Sequence, residues 1–349
     1  MHRIWTHFGG CAARTAALAC GWLVLSAVAL AQPPTQIQAT RVIDCGVEDD
    51  HRPTVVTGVC MSADGQTIAS ATDDHAVRIW NSSTGQMQSR FAGHADWVRT
   101  AALSPDGTKL ASGANDRTVC VWNLADGVKL FELPTFDNAV TAVSFHPYLD
   151  QLAVVGFCHT LQLVNSTTGE VGQSFDCPCA DIRAVAFSAD GSRMAVAGRD
   201  GQIRLWNMNT GLHERDIATD RRRIRALAFS PDGTHLASAG DGVVIHVLNT
   251  SDGSQVTQLP AQPARVLAMT YLNDYQLAIG GTDNKVRIWD LPREKVTLEL
   301  VGHTGSVAAL DCDAAGTTVV TGSYDTTLRI WNLESEDWRA ARKQGLRSE

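Results

Sequence analysis

Basic residues are in short supply in this chain. Against 37 Asp and Glu it carries 29 Lys and Arg, for a formal net charge of −8, and it has no basic tail. A surface of that sign suits general nucleic-acid binding poorly. Charge of either sign is sparse, at 19% of residues, while 44% are apolar and 29 residues are glycine, which is the composition of a packed globular protein. Beyond residue 30 no apolar run is long enough to cross a bilayer as a helix. Helix-length periodicity is also missing over residues 36 to 333.

What is present is a repeat. Trp80, Trp122, Val164, Trp206, Leu248, Trp289 and Trp331 occupy one register, each followed by Asn or Asp, at steps of 42, 42, 42, 42, 41 and 42 residues. A unit of that length holds four strands of about six residues and four turns of about four. In the second unit Val98 to Leu103 opens as an apolar strand, Ser104-Pro105-Asp106-Gly107 is a hairpin turn, and Lys109 to Ser112 follows. Thr118 to Asn123 then alternates with a period of two, and Val128 to Leu133 completes the unit. Four strands cannot bury both faces alone, so the units are expected to stack radially.

These residues give the chain a likeness to a known family. Gly93-His94, Gly302-His303, the turns Ser104 to Gly107 and Ser230 to Gly233, and Trp289-Asp290 together resemble the WD-repeat family. The resemblance covers roughly residues 36 to 333 and implies an all-β, seven-bladed β-propeller of four-stranded antiparallel blades. The last unit stops at Trp331-Asn332-Leu333 without a fourth strand. Residues 36–43 are strand-like and are expected to supply it, closing the ring in blade seven. The expected domains are a propeller over 32–333 and a C-terminal tail over 334–349, which is either a short helix capped by Ser335 or a frayed end.

Residues 1–31 read as a secretory signal. Arg3 and Arg14 make a basic start, Ala16 to Leu30 is apolar, and Ala29-Leu30-Ala31 offers small residues for cleavage. The expected location is therefore the periplasm, envelope or extracellular space, with membrane anchoring through an uncleaved segment as the alternative. Loss of two arginines with the signal would take the net charge from −8 to −10. After cleavage no membrane span remains.

Two sets of residues invite a catalytic reading: His94, Ser112, Asp116 and Trp122, and His303, Thr321, Asp325 and Trp331. The spacing is the same in both units, and a catalytic triad is normally built once, so a structural network is expected. The resemblance implies the same role. Blades three and five, with Val164 and Leu248 for Trp, are expected to rely on apolar packing alone. Cys158 and the pair Cys177 and Cys179 fall in loops on one face. In an oxidising compartment Cys158 is expected to bridge to Cys177 or Cys179, with free thiols as the alternative. Three cysteines fall short of a closed zinc site, so no metal and no cofactor are expected.

The functional expectation rests on arginines. The register Thr57, Arg99, Thr141, Arg183, Arg225, Leu267, Ala308 lies near the start of each inner strand. The resemblance places it at the rim of the partner-binding face. Arg199 and Arg221, Arg222 and Arg223 fall beside it, with Asp181, Asp200, Asp216 and Asp220 as candidate internal partners. Trp97 and Tyr324 are exposed aromatic candidates on the same face. These residues point to a non-catalytic exported scaffold that binds a protein or acidic peptide. The alternatives are a propeller enzyme with a site at the central channel, which the absence of acid and His from this register argues against, and the sensor domain of an envelope-anchored protein.

Overall fold

The computed structural model describes residues 33–46, 54–133, 136–179, 181–261 and 264–334. The signal expected at 1–31 and the tail beyond Glu334 lie outside them. Within them, local turn chemistry sets the strand pairing. In the first turn of blade two the Ser104 hydroxyl donates to Asp106 Oδ1 at 2.6 Å, and the Gly107 N–H reaches the Ser104 carbonyl at 2.9 Å. Gly107 sits at φ 69°, a value that glycine adopts without steric cost.

Such turns fold the chain into seven sheets. Their inner strands are Val56–Met61, Val98–Leu103, Val140–Phe145, Ile182–Phe187, Ile224–Phe229, Val266–Asn273 and Val307–Cys312. Apart from the N-terminal strands added to the last two sheets, the strands of each sheet pair antiparallel in chain order outward from the inner strand. The all-β seven-bladed propeller is therefore the observed architecture.

The core is divided among the seams. Each of the seven apolar clusters among the described residues joins two successive blades. The repeated Trp register explains why. Trp122 packs with Ile79 and Phe91 of blade one, and Trp206 packs with Leu161 and Leu163 of blade three. Val164 and Leu248 plug the corresponding seams. Glycine permits close approaches at these seams: a Cβ on Gly113 would lie 2.4 Å from Val140 of the next blade, and one on Gly322 2.4 Å from Val56.

The N-terminal segment closes the ring as two strands on two different blades. β1 (Thr35–Gln38) runs parallel to Lys295–Val301, adding a fifth strand to blade six, while β2 (Arg41–Asp44) pairs antiparallel with Thr327–Asn332 of blade seven. The chain steps between them at Thr40, whose N–H donates to the Ile330 carbonyl at 2.8 Å and whose hydroxyl accepts from the Asn332 N–H at 3.0 Å. The closing strand is thus Arg41–Asp44 rather than the whole of 36–43.

Candidate functional site

A β-bulge at the second position of every inner strand builds the site. Pairing with the second strand skips one residue in each blade, as between Val98 and Thr100 or Ile182 and Ala184. The skipped residues are Thr57, Arg99, Thr141, Arg183, Arg225, Leu267 and Ala308. A bulge re-aims the side chain it leaves unpaired. All seven line one cavity of ≈ 540 Å³. Val55, Asp73, Trp97 and Tyr324 complete its lining. Trp97 is 46% exposed and Tyr324 53%.

The structure therefore brings Arg99, Arg183, Arg225, Trp97 and Tyr324 together. Arg199, Arg221, Arg222 and Arg223 do not line the cavity; Arg199, Arg221 and Arg222 are exposed, and Arg223 is half-buried. Of the expected internal partners, Asp181 pairs with these arginines, whereas Asp200, Asp216 and Asp220 do not take the role expected of them. Arg183 pairs with Asp181 through Nε and, at 3.2 Å, through Nη2. Arg225 forks onto Asp241, with contacts of 2.7 and 3.3 Å. Arg223 lies 3.6 Å from Asp181 and 3.5 Å from Asp241. Asp200 and Asp216 serve Arg204 instead, and Asp220 accepts the Arg222 backbone N–H.

Asp241, which pairs with Arg225, and Phe157, whose ring centre lies 4.2 Å from the Arg183 guanidinium, escape a reading of the inner strands alone, yet the sequence holds their signal. Asp73, Asn115, Phe157, Arg199, Asp241, Thr282 and Tyr324 form a second 42-residue register, each 15 or 16 residues after the bulge residue of its blade. The inner-strand register itself holds no acid, but Asp73 of this second register also lines the cavity, its Oδ1 accepting the Val55 N–H at 2.8 Å.

The two recurring sets form the expected network. His94 lies 3.0 Å from Asp116 Oδ2 through Nδ1 and 2.8 Å from Ser112 Oγ through Nε2, and Trp122 Nε1 donates to the same hydroxyl at 3.2 Å. In blade seven His303 contacts Asp325 at 2.9 Å and Thr321 at 2.7 Å, and Trp331 Nε1 donates to Thr321 at 3.0 Å. Burial holds both histidines below their ordinary pKa, hence neutral, with the carboxylates fixing the Nδ1–H tautomer. The bond order copies a Ser-His-Asp triad. Ser112 and Thr321, however, have no exposed surface, and the indole occupies the oxygen that would have to attack a substrate.

Other blades solve the same position differently. Asp74 holds Arg78 at 2.5 Å, Asp200 holds Arg204 at 2.5 Å and Asp283 holds Arg287 at 2.6 Å, four residues apart in each case. Blade five buries Ser238 and His246 as well, but Ser238 Oγ and His246 Nε2 have no hydrogen-bond partner among the described residues, so neither replaces the tie that the indole makes elsewhere.

The expected disulfide is absent, since Cys158, Cys177 and Cys179 are free thiols. The Cys158 thiol turns to the Thr160 carbonyl at 3.2 Å, and that of Cys179 to the Asp181 carbonyl at 3.4 Å. Cys177 is buried in the seam between blades three and four, where burial pushes its thiol up to about 12. Among the described residues no group of three His, Cys, Asp or Glu is placed to hold a metal, and no helix is long and apolar enough to cross a membrane.

Comparison with known proteins adds kinship. Ribosome biogenesis protein YTM1 of Chaetomium globosum is 37% identical over 76 residues, covering 20% of this chain and 16% of that protein. NACHT domain- and WD repeat-containing protein 1 of Mus musculus is 36% identical over 64 residues, 18% of this chain and 4% of that protein. U3 snoRNP-associated protein-like EMB2271 of Arabidopsis thaliana is 44% identical over 59 residues, 17% of this chain and 12% of that protein. The chain thus spans less than a fifth of the length of each of these relatives. One family model, described as the IFT122 first beta-propeller, matches residues 55–332, the whole ring from the first inner strand to the last Trp-Asn pair. By fold, repeat and that match, the chain belongs to the IFT122 first beta-propeller family, within the wider group of WD40-type propellers.

Proposed function

We propose that this propeller is a non-catalytic exported scaffold of WD-repeat type that holds an extended segment of another protein in the cavity at the mouth of its ring. One observation carries the reading. Arg99, Arg183 and Arg225 converge with Trp97 and Tyr324 on a single cavity, in a chain whose net charge is −8. Cations and exposed aromatic rings over an apolar floor are the make-up of a protein-binding hot spot. Leu267, Ala308 and Val55 supply that floor. The Gly-His and Trp-Asp pairs support the WD-repeat assignment, and the basic, apolar and small-residue order of residues 1–31 supports export.

The test is affinity capture from the native envelope fraction, comparing the mature wild-type chain with Arg183→Glu/Arg225→Glu at matched unfolding midpoints. Loss of one specific protein from the variant is the expected result. Identical captures would refute the assignment of this face. Captured protein should also wash off as ionic strength rises, because charge contacts near a surface are screened by salt.

A further inference from the structure

The three cavity arginines are not electrically equivalent. Arg225 and Arg223 share Asp241, and Arg183 and Arg223 share Asp181. Arg99 has no carboxylate within ion-pair distance among the described residues: its Nε donates to the neutral Asn115 side chain, and its two terminal nitrogens make no hydrogen bond there. Phe157 holds it in place. The Arg99 guanidinium lies 5.2 Å from the centre of that ring and the Arg183 guanidinium 4.2 Å, so two like charges are gathered on one aromatic side chain. Burial first and the Arg183 charge second disfavour the charged form of Arg99, against the opposing pull of Tyr324, Asp96 and Asp181. Asp181 already answers Arg183, so the charge left for an anion to meet is that of Arg99.

We infer that Arg99, backed by Phe157 and Arg183, is the seat of a side-chain carboxylate, and that the segment bound in the cavity carries Asp or Glu next to an apolar residue. A carboxylate fits the planar fork of a guanidinium through two parallel bonds. The neighbouring apolar residue meets Leu267, Ala308 and Val55 across the cavity. This rests on the scaffold reading for the location of the site and adds the chemistry of what it takes.

The experiment uses the immobilised mature chain and three hexapeptide pools: acetylated and amidated pools with Glu-Leu or Gln-Leu fixed at the centre, and a Gln-Leu pool ending in a free carboxylate. The Glu-Leu pool should be retained at least tenfold over the amidated Gln-Leu pool. Arg99→Met should bring the two level, and Arg99→Lys, which keeps the charge but loses the fork, should recover only part of the difference. Arg90→Met, which removes one charge from the outer strand of blade one, should change nothing. Matched circular dichroism and unfolding midpoints guard against misfolding. Equal retention of the amidated pools, preference for the free terminus, or an unchanged profile in Arg99→Met would each overturn the inference. If a protein is captured from the envelope while the amidated pools bind equally, the scaffold reading stands and the carboxylate seat falls. If the Glu-Leu pool is retained through Arg99 and no protein is captured, the carboxylate seat stands and the scaffold reading falls.

Discussion

Replacing serine by alanine at one register position should have opposite effects in different blades. Ser112 and Ser238 stand three repeats apart and neither has exposed surface. Ser112 Oγ is bonded to both His94 and Trp122, so Ser112→Ala leaves a buried imidazole nitrogen and a buried indole N–H without partners. Each orphan costs ~1–3 kcal/mol, giving a destabilisation of about 2–6 kcal/mol. Ser70 holds one such group, the Trp80 indole at 2.9 Å, so Ser70→Ala should cost about half as much. Ser238 holds none, because Leu248 stands where the indole would be. Ser238→Ala removes an unpaired hydroxyl and should be neutral or stabilising by ~1 kcal/mol. Urea unfolding followed by tryptophan fluorescence gives the order, and amide exchange in Val119–Asn123 and Val244–Asn249 localises it. Similar losses at Ser112 and Ser238 would refute the claim that hydrogen bonding at this position, rather than side-chain volume, decides stability.

Two further outcomes follow from the seam between blades seven and one. Asp311 on blade seven accepts the Met61 N–H of blade one at 2.9 Å, and burial raises its carboxyl from 3.8 to about 6. The folded chain therefore binds this proton more tightly than the unfolded chain. Its contribution is complete below about pH 4 and is lost as pH rises through about 6. Denaturation of wild type and Asp311→Asn across that window should show the variant gaining relative stability as pH rises, and a flat difference would contradict the burial. Taking the difference removes the contributions of His94 and His303, whose lowered values make them stabilising above their ordinary pKa and less so below it. Ile43 of β2, 6% exposed, packs with Leu328 and Ile330. Ile43→Ala should cost about 2–4 kcal/mol and raise amide exchange in Thr327–Asn332 before blades two to five respond; a uniform rise would mean that closure is not the weak point.

The ring was legible because its period is carried by residues that plug seams. A Trp, Val or Leu every 42 residues reports a repeated packing problem, whatever side chain solves it. The inner-strand register was legible for the same reason. What it lacked was a cause: the bulge that turns Arg99, Arg183 and Arg225 into the cavity is a backbone event, and its hydrogen-bond skip has no residue of its own. Charge balance was harder still. Asp241 neutralises Arg225 across 16 residues, while Asp200, closer in sequence to Arg199, turns to Arg204. Sequence distance does not rank carboxylates that a hairpin folds to different sides of one strand. The division of residues 36–43 between two blades hinges on Thr40, whose side chain and N–H both bind blade seven.

That division has a mechanical side. A pull on the chain ahead of Thr35 first meets four parallel pairs, Thr35 with Leu298 through Gln38 with Val301, on blade six. Only when those have given way does tension reach the four antiparallel pairs that latch blade seven. β1 thus works as a cable clamp upstream of the latch. Any tether at the amino end would be loaded against blade six, leaving the ring shut and the arginine-lined mouth undistorted until the clamp slips.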